Sequence, residues 1–147
     1  MRLGEGGLLT RSRVLLVDDQ PLFRRALVRI LGRFETVPCS TFIEAEAALR
    51  AARFDAVVSD VQLPDGSGVD LFHRVREARP EQAERFVFAS GALDDPKVRA
   101  ALEATGRPFI RKPFGLHAFR ELVTVVVERR RPQAISGTYH VGPVARV

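Results

Sequence analysis

Five times along this chain, a short apolar run is followed by a longer stretch whose apolar residues recur at helical spacing. The first of these runs is RVLLVDD at 13–19 and the third is DAVVSD at 55–60. Continuous apolar runs are typical of strands buried on both faces, and intervening helices allow parallel strand connections. The alternation predicts an α/β fold of three layers, with a five-stranded parallel sheet between two layers of helices.

The connections between the strands limit the possible strand orders in the sheet. Crossover connections between parallel strands are right-handed, which leaves few arrangements for five successive strand–helix units. The simplest is a doubly wound, flavodoxin-like sheet of order 2-1-3-4-5. In that order the first and third strands are neighbours, and their carboxyl ends border the crevice where such sheets bind ligands.

The length of 147 residues favours one globular domain. We expect this domain to span 12–130, after a flexible N-terminal segment at 1–11 that contains GEGG. The last residues, RPQAISGTYHVGPVARV, contain proline and glycine without apolar periodicity. They predict a C-terminal extension at 131–147.

The formal net charge of +5 comes mainly from arginines scattered over several predicted helices. No recognition helix or mixture of aromatic and basic residues accompanies them, so we expect no direct binding of nucleic acid. The single cysteine, Cys39, cannot form an internal disulfide. Neither a signal peptide nor an apolar run of about 20 residues is present, which predicts a cytoplasmic protein that does not span a membrane.

Polar or charged side chains follow four of the five predicted strands. Strand one ends in Asp18 and Asp19, strand three in Asp60 and strand four in Ser90, and strand five leads into Lys112. The carboxyl ends of parallel strands meet at one edge of a sheet. We therefore expect these five residues to converge on one crevice.

Each of these residues alone also suits a structural role, since aspartates and serines commonly begin turns or cap helices. Their joint position at the strand ends favours a functional site instead. Three clustered carboxylates repel one another, and a bound cation offsets that repulsion. Oxygen ligands without a neighbouring histidine or cysteine favour Mg²⁺ as this cation.

A carboxylate beside Mg²⁺, with a lysine and a hydroxyl in reach, is suited to phosphoryl transfer. Asp60 would be the nucleophile and would form an aspartyl phosphate. The ammonium group of Lys112 would offset the negative charge on the phosphoryl oxygens. This chemistry accounts for an apolar strand that ends on a carboxylate.

The segments LLVDD, SDVQLPDGSG, FAS and KPF resemble the receiver domain of two-component response regulators, the CheY-like superfamily of bacterial signalling. The resemblance covers roughly residues 12–130 and includes the spacing of the motifs. Asp18 and Asp60 are 42 residues apart, Asp60 and Ser90 are 30 apart, and Lys112 lies 22 residues further on. By this resemblance Asp60 is the phosphoacceptor. The implied Mg²⁺ ligands are Asp18, Asp19, Asp60 and the backbone carbonyl of Gln62.

The resemblance also implies a switch. Ser90 supplies the hydroxyl group of this switch. Lys112 pairs with the phosphoryl group, and the peptide bond from Lys112 to Pro113 is expected to be cis. Three residues before the lysine, many family members have a tyrosine, and this chain has Phe109. Phe109 can occupy inner and outer positions, but it has no hydroxyl group with which to form a hydrogen bond.

The partners implied by the resemblance are a histidine kinase or a phosphotransfer protein. Phosphorylation is expected to remodel the face formed by the fourth helix, the fifth strand and the last helix, through which the protein could form a homodimer. The cations expected on this face are Lys97, Arg99, Arg107, Arg111 and Arg120. We expect no enzyme activity beyond the protein's own phosphorylation and dephosphorylation.

Other interpretations stay open at this point. An aspartate-nucleophile phosphatase needs a second acid two residues after the nucleophile, where this chain has Gln62. A dinucleotide-binding loop at 66–68 would lack the third glycine of its motif. A degenerate receiver would lack part of the acidic, hydroxyl and lysine set. The chain is expected to be a single-domain regulator or a receiver module of a longer protein, such as a hybrid sensor histidine kinase.

Overall fold

The computed structural model of the protein describes residues 2–3 and 9–129. The predicted C-terminal extension at 131–147 lies outside the described residues. Residues 1 and 4–8 of the predicted N-terminal segment also lie outside them. No helix in the described ranges combines the length and the apolar character needed to cross a membrane.

Strands and helices alternate along the described chain as the sequence predicts. The strands are β1 (Arg13–Val17), β2 (Glu35–Cys39), β3 (Ala56–Asp60), β4 (Phe86–Ser90) and β5 (Phe109–Arg111). The helices that follow them are α1 (Pro21–Ile30), α2 (Phe42–Ala51), α3 (Gly68–Ala78), α4 (Pro96–Thr105) and α5 (Leu116–Glu128).

Three shorter features were not predicted from the sequence. Two antiparallel pairs of two-residue strands and one turn of helix occur outside the main sheet. They are Arg2–Leu3 with Leu9–Thr10, Gln62–Leu63 with Gly66–Ser67, and Pro80–Ala83.

The five main strands form one parallel sheet in the order β2-β1-β3-β4-β5. The predicted order 2-1-3-4-5 is therefore confirmed. The register pairs Val17 with Ser59 and Asp60 with Ala89. The carboxyl ends of β1, β3 and β4 consequently lie side by side.

Two apolar clusters cover the two faces of the sheet. Val57 and Phe88 belong to the cluster that includes buried residues of α2, α3 and α4. Val58 and Ile110 belong to the cluster that includes buried residues of α1 and α5. Successive strand residues alternate between the clusters because their side chains point to opposite faces, and the result is the predicted three-layer arrangement.

Side-chain oxygens cap the first turns of three helices. The Thr41 hydroxyl accepts from the Glu44 N–H at 3.1 Å and so caps α2. Ser67 caps α3, and Asp95 caps α4. Each cap satisfies an N–H group that has no partner within its own helix.

Helix α1 buries only some of its apolar residues. Leu27 and the following Leu31 are buried, but Leu22 is 78% exposed and Ala26 is also exposed. In the first turn Leu22 is therefore open to solvent, whereas Phe23 is partly buried.

Part of the arginine excess has a structural role. The guanidinium groups of Arg11, Arg79 and Arg85 donate to carbonyls at or just beyond the C-terminal ends of helices. Arg79 donates to Leu49 in α2 and Arg85 to Val126 in α5. Carbonyls in the last turn of a helix lack the usual partner in a following turn, and a cation there also offsets the negative end of the helix dipole.

The sequence predicts that Arg107 is exposed beside α4. This prediction is wrong, because Arg107 is buried. Its Nε donates to the Phe86 carbonyl at 3.1 Å, and its Nη1 lies 3.5 Å from a carboxylate oxygen of Glu84. Burial lowers the pKa of Arg107 to about 10, so the group stays charged at neutral pH. Arg107 joins β4 to β5 inside the protein.

Replacing Gly68 should destabilise the fold. A Cβ atom at this position would lie 2.2 Å from the Asp60 carbonyl oxygen and 2.6 Å from the Ser59 hydroxyl. We predict that Gly68→Ala lowers the free energy of unfolding by about 2 to 3 kcal/mol, because the backbone must shift. Gly91→Ala is the matched control, since nothing lies within 4 Å of its Cβ position. Equal urea-unfolding midpoints for the two variants would contradict this prediction.

Candidate functional site

Three aspartates meet at the carboxyl edge of the sheet. Asp18 and Asp19 follow β1 directly, and Asp60 is the last residue of β3. One carboxylate oxygen of each residue lies within 4.8 Å of the others. Asp18 is buried, Asp60 is partly buried and Asp19 is exposed, so the group lies between the core and solvent. The structure therefore brings together the three carboxylates that the sequence places at strand ends.

Lys112 reaches the same point from the residue after β5. Its Nζ donates to Asp18 Oδ2 at 3.0 Å and to Asp60 Oδ2 at 2.9 Å. The peptide bond from Lys112 to Pro113 is cis, as predicted. One ammonium group thus joins the ends of β1 and β3, although the two aspartates are 42 residues apart in the sequence.

Negative charge exceeds positive charge at this edge, because one ammonium group faces three carboxylates. Burial raises the pKa of Asp60, and its hydrogen bond with Lys112 offsets only part of that effect. Burial by itself would lower the pKa of Lys112, but hydrogen bonds with Asp60 and Asp18 outweigh it and raise the pKa. The lysine is therefore held in its charged form, while the charge of Asp60 is only partly compensated.

The raised pKa of Asp60 has a consequence for stability. A carboxyl group with a higher pKa in the folded state binds its proton more tightly there than in the unfolded chain. The contribution of Asp60 to stability is therefore greatest below its unfolded-state pKa and falls as pH rises through its folded-state pKa. At neutral pH the ionised Asp60 carboxylate lowers the free energy of unfolding.

Backbone groups hold two of the aspartates in place. The Gln20 N–H donates to Asp18 Oδ1 at 2.8 Å, and the Gln62 N–H donates to Asp60 Oδ1 at 3.2 Å. The guanidinium group of Arg24 donates to the backbone carbonyl of Asp18 at 2.7 Å. These contacts fix the position of each carboxylate before any ligand binds.

Ser90 ends β4, the strand next to β3, and Phe109 begins β5, the strand beyond it. Ser90 is buried at the end of β4, where its hydroxyl oxygen accepts from the Ala92 N–H at 3.0 Å. Its backbone carbonyl accepts from the Lys112 N–H at 2.9 Å. Phe109 is 1% exposed and pairs in register with Phe88, two residues before Ser90. Phe109 therefore occupies an inner position on the face of the sheet that α4 covers.

Sequence analysis missed two neighbours of the site on the first turn of α1. Arg24 contacts the backbone of Asp18, as described above. Phe23 places its ring centroid 4.5 Å from the Lys112 Nζ. The available signal was their position one turn after the paired aspartates.

The donor atoms suit a hard divalent cation. Carboxylate oxygens from Asp18, Asp19 and Asp60 are the ligand type that Mg²⁺ prefers, and exposed Asp19 leaves a side open to water. Lys112 neutralises only part of their charge. The residues present therefore fit a magnesium site.

The family model for the response regulator receiver domain matches residues 14–124. This range contains the three aspartates, Ser90 and Lys112. The chain belongs to the response regulator receiver domain family.

A curated relative illustrates this membership. The response regulator protein PilR of Pseudomonas aeruginosa is 35% identical over 128 residues, which is 86% of this chain and 28% of PilR. The chain thus spans under a third of that relative's length.

Solved structures support the fold. The non-phosphorylated HemR receiver domain from Leptospira biflexa is 30% identical with a TM-score of 0.72, over 83% of this chain and 98% of that one. The beryllofluoride-activated NtrC4 receiver domain dimer is 27% identical with a TM-score of 0.69, over 79% and 96% respectively.

Removing the ammonium group of Lys112 should change the titration of Asp60. We predict that Lys112→Met raises the pKa of Asp60 further, because the hydrogen bond and the positive charge that lower it are lost. The carboxyl carbon signal of Asp60, followed by NMR against pH without added metal, measures this change. Lys97→Met removes the other lysine of the chain, which is exposed on α4, and should leave the titration unchanged. An unaltered Asp60 titration in Lys112→Met would contradict the electrostatic account.

Proposed function

We propose that Asp60 accepts a phosphoryl group from the phosphohistidine of a histidine kinase or a phosphotransfer protein. The observation that carries this proposal is the shared ammonium group of Lys112, 2.9 Å from Asp60 and 3.0 Å from Asp18. Membership of the receiver domain family supports it. The function is then that of a phosphoacceptor in two-component signalling.

In the proposed step, a lone pair of an Asp60 carboxylate oxygen forms a bond to phosphorus. The phosphorus–nitrogen bond of the donor breaks, and its electron pair leaves with the imidazole of the donor. The ammonium group of Lys112 offsets the charge on the phosphoryl oxygens during this transfer. Asp60 is partly buried, which limits the water that competes for the phosphoryl group.

We propose that Mg²⁺ is held by the carboxylates of Asp18, Asp19 and Asp60, together with the backbone carbonyl of Gln62. When bound, Mg²⁺ supplies positive charge against the phosphoryl oxygens. Asp19, which is exposed, would be the more direct ligand of the two aspartates that follow β1.

In the proposed function, the protein is not a conventional enzyme. It catalyses its own phosphorylation and dephosphorylation, because its own residues supply the nucleophile and the compensating charge. We propose that it works in the cytoplasm, where its phosphodonor partner presents the phosphohistidine. Binding of nucleic acid is not part of the proposed role.

Phosphorylation is proposed to reposition Ser90 and Phe109. If the Ser90 hydroxyl turns toward a phosphoryl oxygen, its hydrogen bond with Ala92 is lost and the loop before α4 moves. Phe109 lies on the same face of the sheet and would fill the space that opens. The change would be a shift between two pre-existing states of the face formed by α4, β5 and α5.

This α4-β5-α5 face also carries the proposed homodimer contact. Its exposed surface has charges of both signs, such as Arg99 with Glu103 at 3.5 Å and Arg111 with Asp94 at 3.2 Å. In a homodimer, a residue of such a pair could instead form an ion pair with the oppositely charged residue of the second copy. The NtrC4 receiver domain dimer is an activated neighbour of the same fold.

The first test is labelling with a small phosphodonor, such as acetyl phosphate, in the presence of Mg²⁺. We predict that intact mass rises by one phosphoryl group in the wild-type protein and that a chelator prevents the change. Asp60→Asn should not be labelled, because the nucleophile is absent. Its melting temperature should equal or exceed that of the wild type, since the partly buried charge is removed.

Asp70→Asn is the matched control, because Asp70 is exposed on α3. It should be labelled at the wild-type rate. Labelling of Asp60→Asn at that same rate would refute the assignment of Asp60.

The second test concerns the switch. Ser90→Ala should still be labelled at Asp60, but its phosphorylation should no longer alter amide hydrogen exchange in α4 and β5, because the hydroxyl is absent. Ser40→Ala, at the end of β2, is the control and should show the wild-type exchange response. If both variants respond alike, Ser90 does not couple the site to this face.

A further inference from the structure

The ring of Phe23 contacts the ammonium group of Lys112. The ring centroid lies 4.5 Å from Nζ, within the range over which a cation is attracted to the face of an aromatic ring. Two of the three N–H donors of the ammonium group are directed to Asp18 and Asp60. The ring and the two carboxylates thus contact the same ammonium group.

Other aromatic rings hold Phe23 in this position. Its ring meets that of Phe114 edge to face, with centroids 5.6 Å apart. Phe114 stacks in turn on fully buried Phe119 at 4.9 Å. The ring of Phe23 is therefore supported by the core behind it.

Water is largely excluded from the contact. The Lys112 side chain is only 16% exposed, and Phe23 is partly buried. A cation–π contact is stronger where the cation is removed from water. Losing the ring would let water reach the ammonium group and let the flexible lysine chain adopt other rotamers.

We propose that Phe23 is a positioning residue for phosphoryl transfer, holding the Lys112 ammonium group against Asp60 by a cation–π contact. This inference rests on the proposed function of Asp60. In this role the ring acts through the lysine and not directly on the phosphoryl group or the nucleophile. Its electron density, rather than its volume, determines how well the lysine is held.

The test is to place mono-, di- and trifluorinated phenylalanine at position 23. Fluorine withdraws electron density from the ring face and changes its volume little. The rate of Asp60 phosphorylation by acetyl phosphate should fall stepwise along the series. Phe23→Leu, which lacks the ring, should be slower by about three- to tenfold.

The same fluorinated residues at position 119 form the control, because Phe119 supports the ring stack without being the ring on Lys112. The rate should stay constant along that series. A constant rate along the position 23 series as well would overturn the proposal, since Phe23 would then act by packing alone.

A second readout separates this proposal from that for Asp60. In the unphosphorylated protein the ring current of Phe23 should shift the ε-methylene proton signals of Lys112 upfield, and Phe23→Leu should abolish the shift. Exposed Lys97 provides the reference signal. If Asp60 is never labelled while this shift is present, the proposed function fails and the contact stands. Lys112 signals that match those of Lys97 would overturn the contact itself.

Discussion

The ammonium group of Lys112 is the contact on which the arrangement of this site depends. It joins the ends of β1 and β3 by hydrogen bonds with Asp18 and Asp60. Without this positive charge, three carboxylates whose oxygens lie within 4.8 Å of one another would repel, with only backbone N–H groups to offset their charge. With it, the group keeps excess negative charge, which a divalent cation could offset. This excess charge supports the magnesium site and the phosphoacceptor role proposed above.

The fold supplies the positions that this contact requires. Because β1 and β3 are adjacent, residues 42 positions apart in the sequence come within reach of one side chain. The first turn of α3 packs closely behind Asp60, since Gly68 leaves room for the Asp60 carbonyl and the Ser59 hydroxyl. On the opposite side, α1 supplies Phe23 and Arg24. Helices from both layers therefore support the carboxylate proposed to react.

Several features followed from local sequence rules. The alternation of apolar runs and helical spacing predicted every main strand and helix, and the handedness of crossovers predicted the strand order. A prediction of exposure was wrong where contacts between separate segments determine the burial of the residue. Arg107 is buried because the Phe86 carbonyl and the Glu84 carboxylate accept hydrogen bonds from its guanidinium group.

The sequence by itself determined the fold class and which residues stand at the strand ends, because both follow from periodicity and from the geometry of parallel strands. Tertiary structure alone decided how those residues meet. That Lys112 is shared by Asp18 and Asp60, and that Phe23 covers the same ammonium group, depends on distances between separate segments. The pKa shifts of Asp60 and Lys112 likewise depend on burial and on these partners. Such long-range contacts leave no periodic trace in a single sequence.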